Sequence, residues 1–371
     1  MSKTTTRVLF ALPGLHCVNR GAETAFESVA AEVALIPGFK VTVMGGGEAR
    51  ADDPYQFMHV PRVPREKFEK WPGLPVFRSH YSYEDATFAA NMLRVYRPKE
   101  YDVTVTANFP FTNGLLRARK SGGKRPAHVF VTQNGDWMVG ARTAEYRFFG
   151  CDGLVCTNNQ YFARHASRFP SRLIPNGVDP RKFFPGKTGR TKLGLPENGP
   201  LILMVSALIA SKYPLEGIEA ASRVPGANLV IAGDGELRQA VRELGEAKMG
   251  DRFRMVSVPR AEMPALYRAA DLFLHMSRGE ASANVYIEAL ATGLPVITHD
   301  WEVTRWTFDG QASLVDTANL DLVATALQNA VAGSGPGSLE GRVKLAGERF
   351  DWRVIAATYA EFFRELTGGQ P

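Results

Sequence analysis

Short, unbroken apolar runs alternate with longer amphipathic stretches along the first half of the chain. RVLFAL (7–12), KVTVM (40–44), DVTVT (102–106), HVFVT (128–132) and LVCT (154–157) are rich in β-branched and aliphatic residues and too short for helices. AETAFESVAAEVAL (22–35) instead places its apolar residues at helical spacing. Strands that are apolar on both faces and separated by helices predict a parallel sheet covered on both sides.

The rhythm breaks over residues 174–200, IPNGVDPRKFFPGKTGRTKLGLPENGP, where five prolines and five glycines predict an interdomain connection. Its Asn176-Gly177 pair predicts a turn. Alternation then restarts with LILMVSA (201–207), NLVIAGDG (228–235), FRMVSV (253–258), DLFLHMS (271–277) and PVITHD (295–300). GELRQAVRELGEAK and EMPALYRAAD are helical patterns between them, and DWRVIAATYAEFFREL is a final amphipathic helix with aromatics at 352, 359, 362 and 363. Two such series predict two doubly wound α/β domains, with ligands beyond the carboxyl ends of the strands.

One stretch combines a strand end with candidate chemistry: SRGEASANVYIEALATGLPVI, residues 277–297. Ser282 or Asn284 can cap the helix that follows, and Gly293 with Pro295 ends it. Amides at the start of a helix have no intrahelical partner, so Ser282, Ala283, Asn284 and Val285 offer a seat for a phosphate. Glu280 falls in the loop, and Glu288, about two turns into the helix, can accept from vicinal hydroxyls such as those of a ribose. On this segment alone, both acids are equally readable as solvated residues at a helix end.

Composition narrows the field. Of 371 residues, 45% are hydrophobic and 22% charged, as in globular proteins, and no apolar run approaches the ~18 residues of a membrane span. The opening MSKTTTRVLFALPGLH reads as a first strand rather than a secretory leader. Cys17, Cys151 and Cys156 form an odd set without ligand spacing, which favours reduced thiols and a cytoplasmic setting. The seven histidines lack ligand spacing too, so no metal is expected, and GGG (45–47) lacks the Lys-Ser/Thr of a phosphate loop. A net charge of +6 favours an anionic partner. The basic, aromatic stretch HVPRVPREKFEKWPGLPVFRSHY and the nearby RARKSGGKRP suit peripheral contact with the inner face of an anionic membrane, an acidic acceptor, or simply a solvated basic face. No motif supports nucleic-acid binding.

EASANVYIEALATGLPVI resembles the hallmark of the retaining GT-B glycosyltransferases of family four, the glycosyl transferases group 1: Glu-x7-Glu, a small-residue helix, then Gly-x-Pro-Val. RGAE (20–23), IPNGVDPRKFFP (174–185), VSALIASK (205–212), IAGDGELR (231–238) and VPRAEMPALYRAADLFLHMS (258–277) follow the family's order. The likeness is specific over 174–300 and fainter before. It implies a GT-B architecture of two Rossmann-like domains facing each other across a cleft. Residues 1–185 would form the acceptor-side domain and 186–351 the nucleotide-sugar domain, with the helix 352–371 returning to the first.

The resemblance also implies roles. Glu280 matches the acid that contacts the donor sugar, Glu288 the acid on the ribose, and Lys212 the lysine that neutralises the pyrophosphate. Gly21 matches a glycine whose bare backbone approaches the phosphates. Met255, Val256 and Ser257 fall where the base is held, and Gly233 opens a loop beside that pocket. Three positions depart from the family pattern. Ser206-Ala207 stand where Gly-Arg is usual, with Arg20 or Arg278 as substitutes; Gln133 stands where many members have a histidine; Ser257 replaces a glycine. His16, Asn19, Asn108 and Phe109 are the acceptor candidates.

The implied activity is transfer of a sugar from a UDP- or GDP-type donor to a hydroxyl of a glycan, glycolipid or small molecule, without cofactor. Glu280, Lys212 and Gln133 would serve the chemistry. The rivals are a nucleotide-sugar epimerase or hydrolase of the same fold and a nucleotide-sugar-binding protein without turnover. An oxidoreductase is disfavoured, because no Gly-x-Gly-x-x-Gly follows the first strand.

Overall fold

The structure is a computed structural model that describes residues 5–18, 20–118, 124–140, 149–280 and 282–368, so the acceptor candidate Asn19 lies outside the described residues. The chain divides into two compact units, Met1–Asn176 with Trp352–Pro371, and Gly177–Asp351.

In the first unit, β1 (Thr6–Ala11), β2 (Phe39–Gly45), β3 (Gln56–His59), β4 (Val103–Thr106), β5 (Ala127–Val131), β6 (Gly153–Cys156) and β7 (Ser171–Leu173) form one parallel sheet in the order β3-β2-β1-β4-β5-β6-β7. From Val8 to Ala11 β1 is apolar because it is buried there on both faces. Val8 and Phe10 enter one core cluster, while Leu9 and Ala11 enter the cluster on the opposite face. Helix Trp352–Thr367 packs against helix Gly21–Ala34 in this unit. Phe363 lies 6.2 Å from Phe10, edge to face, and Trp352, Tyr359 and Phe362 are buried with it. The aromatic stripe read from the sequence is therefore core.

In the second unit, β8 (Leu201–Val205), β9 (Asn228–Ala232), β10 (Phe253–Val256), β11 (Leu272–His275), β12 (Val296–His299) and β13 (Ser313–Val315) form a parallel sheet in the order β10-β9-β8-β11-β12-β13. Leu201 and Leu203 face one cluster, Ile202 and Met204 the other. This is the strand order of a doubly wound nucleotide-binding sheet, which reverses direction between β8 and β11. The first sheet reverses likewise between β1 and β4. Such sheets hold ligands beyond the carboxyl ends of the strands, at this reversal point.

Two features of the sequence reading change. The compact units divide between Asn176 and Gly177, earlier than the 185/186 boundary drawn from the Pro/Gly stretch, because Val178 and Phe183 join the core of the second unit. Asn176-Gly177 forms no turn. Val178 instead makes a parallel bridge with Asp351, its N–H donating to Phe350 O at 2.7 Å, and this long-range pairing overrides the local turn preference.

Candidate active site

The loops leaving β8 and β11 meet at the reversal point of the second sheet. After β8, a 3-10 turn, Ala210–Lys212, ends in the left-handed Tyr213 (φ 52°), a strained conformation for a residue with a Cβ. The Arg278 guanidinium covers the Tyr213 ring at 4.2 Å, and Ser277 Oγ donates to Ser211 O at 3.3 Å, tying the two loops together. Lys212 is thereby aimed at the β11 loop, where Nζ pairs with Glu280 Oε1. His275, the last residue of β11, donates from Nε2 to the same oxygen at 3.1 Å. Burial works against ionisation of Glu280, but the His275 ring and the Lys212 ammonium outweigh it and hold the carboxyl at about 2. His275 was missed in the sequence. A histidine closing a buried strand five positions before a loop acid was its signal.

Glu288 lies on helix Asn284–Ala291. It is not a solvated helix residue, because Tyr267, fully buried, donates its hydroxyl to Glu288 Oε2 at 2.8 Å. Burial raises the Glu288 carboxyl above its ordinary value, against the pull of the Tyr267 hydrogen bond. Ala283 is the N-cap, without a side-chain cap bond, so neither Ser282 nor Asn284 caps this helix as the sequence suggested. Gly293 ends it at φ 77°, and a Cβ there would come within 2.9 Å of Leu339.

The other donor-side positions lie at the same carboxyl edge. Gly233 follows β9 and packs so tightly that a Cβ would stand 1.9 Å from Ser206 O, so only glycine lets the 233–236 loop lie against the end of β8. Ala207 and Ser257 are exposed there, with Met255 and Val256 half-buried at the end of β10. Arg278 Nε and Ser206 Oγ are buried without a hydrogen-bond partner in the protein. Of the two arginines proposed to replace the missing cation, Arg278 is the one on the Lys212 side of this sheet.

In the first unit, Gly21, Asn108 and Phe109 come together at the β1/β4 reversal point and line a cavity of about 600 Å³. Buried Asp85 holds one wall in place: it accepts from Phe111 N (2.7 Å), Thr112 N (3.2 Å) and Thr112 Oγ1 (2.5 Å) at the start of helix Pro110–Ala118. Two predicted residues are placed elsewhere. His16 stacks on Phe57 at 4.0 Å and contacts Glu48 O and Tyr55 OH at 2.7 and 2.8 Å, so its ring is consumed by the loop it pins rather than offered to an acceptor. Gln133 is buried, and its Nε2 donates to Asn176 Oδ1 at 2.8 Å. Its amide therefore braces the end of the first unit. Among the described residues no group of three or more acids, histidines or cysteines could hold a metal, and no helix is long and apolar enough to cross a membrane. The basic stretch exposes Trp71, Leu74 and Val76.

Residues 187–333 match the family described as Glycosyl transferases group 1. Over these residues the chain is similar to group 1 glycosyltransferases. The resemblance carried by the Glu280–Glu288 stretch thus holds, and the matched stretch falls inside the second compact unit. The Escherichia coli UDP-Gal:alpha-D-GlcNAc-diphosphoundecaprenol alpha-1,3-galactosyltransferase is 32% identical over 42% of this chain and 43% of its own. Matches to the first curated relatives span only 43% to 65% of their lengths. Sucrose-phosphate synthase from Thermosynechococcus elongatus superposes with a TM-score of 0.77 at 18% identity, over 98% of this chain and 99% of that one. HepE from Anabaena, solved with UDP and glucose, gives 0.69 at 16% identity over 97% and 100%. The fold is GT-B, with two Rossmann-like units.

Proposed function

We propose that the protein is a retaining glycosyltransferase that moves a hexosyl group from a UDP- or GDP-type donor to a hydroxyl acceptor. One observation carries the reading: Lys212, His275 and Glu280 converge at the reversal point of the second sheet, next to the helix that bears Glu288. The donor's diphosphate lies on the amides at the start of that helix and on Lys212, with Arg278 as a second cation. Glu288 takes the ribose hydroxyls. Glu280, kept ionised, accepts from a sugar hydroxyl and fixes the ring.

As the glycosidic bond breaks, negative charge grows on the leaving diphosphate, where a preorganised ammonium and helix amides favour the transition state over the ground state. The acceptor hydroxyl then attacks from the face the leaving group vacates, and its proton passes to the departing phosphate. No covalent nucleophile is required. The UDP-Gal donor in the galactosyltransferase's name and the UDP bound to HepE support the nucleotide-sugar assignment.

The test is transfer from UDP- and GDP-hexoses to a panel of hydroxyl acceptors, with the product's anomeric configuration read by NMR and each reaction repeated in EDTA. The expected product keeps the donor's configuration and forms at an unchanged rate in EDTA. An inverted product contradicts retention, and complete, magnesium-reversible inhibition contradicts metal independence. Donor consumed without an acceptor would favour the epimerase or hydrolase reading.

A further inference from the structure

The cavity of the first unit is charged in a particular way. Three of its lining residues are arginines, Arg20, Arg65 and Arg78, it has no lysine, and its one acid is Glu23. Arginine's planar fork suits oxyanions with several acceptor oxygens better than a point ammonium does. Fully buried Glu84 is shared: Arg62 pairs with its Oε1, while Arg65 donates from Nε at 3.0 Å and Nη2 at 2.8 Å to its Oε2. Two guanidinium groups thus rest on one carboxylate.

Arg20 stands 3.9 Å from Glu23 and 3.7 Å from Glu66, beyond hydrogen-bond reach of both, and its Nη1 is buried without a hydrogen-bond partner. Burial raises the Glu23 carboxyl above its ordinary value, which weakens its hold on Arg20. A buried guanidinium nitrogen without an acceptor is costly, and an anion in the cavity removes the cost. Beside these cations stand two broad aromatic faces, Trp137 and Tyr81, 56% and 47% exposed, with Arg65 stacked 3.9 Å over the Tyr81 ring.

We infer that this cavity binds a phosphate ester, its phosphate on Arg20, Arg65 and Arg78 and its organic part on the Trp137 and Tyr81 rings. Resting on the transferase reading above, this makes the phosphate ester the acceptor, its phosphate serving as a handle that positions a separate hydroxyl for attack. A soluble sugar-phosphate type and the phosphate headgroup of a lipid share this chemistry.

The test uses the full chain and phenyl phosphate as probe, followed by titration calorimetry. Phenyl phosphate is expected to bind, inorganic phosphate more weakly and phenol not at all. Arg20→Gln and Arg78→Gln should each weaken phenyl phosphate about tenfold or more, the size of a hydrogen bond to a charged group, and Trp137→Ala should remove the advantage over inorganic phosphate. Saturating UDP or GDP should leave this binding in place. Displacement by the nucleotide would assign the cavity to the donor and overturn the inference, as would equal binding by folded Arg20→Gln and Arg78→Gln variants or no binding by the parent. Nucleotide binding without phosphate-ester binding would defeat this inference and leave the proposed transferase standing; the converse would do the reverse. Co-sedimentation with phosphatidylcholine vesicles containing phosphatidic acid, lost on Arg78→Gln, identifies the lipid form of the ligand. Phenyl phosphate binding without co-sedimentation identifies the soluble one.

Discussion

Lys212→Met is expected to lower kcat for sugar transfer about a hundred- to a thousandfold, the loss seen when one preorganised donor to a developing oxyanion is removed. Methionine keeps most of the side chain's bulk, so the variant removes the charge more than the packing. The same change strips Glu280 of one of the two groups that hold its carboxyl at about 2. The Glu280 carboxyl then rises toward its ordinary value. The acid limb of the pH–rate profile should move to higher pH, while His275 still keeps it below that of an isolated glutamate. In the parent, the stability that the depressed Glu280 contributes is fully present above about pH 4.5 and is lost as pH falls toward 2. Initial rates from about pH 2 to 9 check both effects. A kcat within threefold of the parent would remove Lys212 from the chemistry.

Glu288→Ala is expected to weaken nucleoside-diphosphate binding by about 1.5–3 kcal/mol, roughly ten- to a hundredfold in Kd. Alanine also leaves the buried Tyr267 hydroxyl with only the longer contact to Val285 O at 3.4 Å, so a stability loss of about 1–3 kcal/mol should accompany it. Glu288→Gln separates the two effects. Its carboxamide oxygen can still accept from Tyr267 and restore stability, while the loss of charge keeps the ribose contact weak. Calorimetric titration with thermal melts on both variants provides the check. A folded Glu288→Ala that binds as tightly as the parent would make Glu288 a purely structural partner of Tyr267.

The parallel sheets were legible because their strands are buried on both faces. β1 from Val8 onward and the whole of β8 are apolar at every position, and only a strand covered by helices on both sides can satisfy that. QFMH, SRL and SLV, which form β3, β7 and β13, were not legible: they are short, edge-lying or half-polar, and their pairing is decided by the neighbouring strand. The pairing of Lys212 with Glu280 spans 68 positions, so family likeness could name both residues while only the fold could show them touching. Tyr267 and His275 were hidden for the opposite reason. Each sits in a segment whose apolar pattern reads as core, and each is core, with one polar atom turned toward Glu288 or Glu280. At His16 and Gln133 a polar residue after a strand serves the loop itself through its Tyr55 and Asn176 contacts, which the sequence could not show.

The most direct measurement is titration of the full chain with UDP, GDP and ADP in EDTA, on the parent and on the Lys212→Met and Glu288→Ala variants. The account predicts that UDP or GDP binds at one site per chain with a Kd on the order of micromolar, about 8 kcal/mol, and that both variants weaken it while remaining folded. Absence of binding at millimolar nucleotide, or binding that neither substitution alters, would contradict the claim that the β8/β11 reversal point is a nucleoside-diphosphate site.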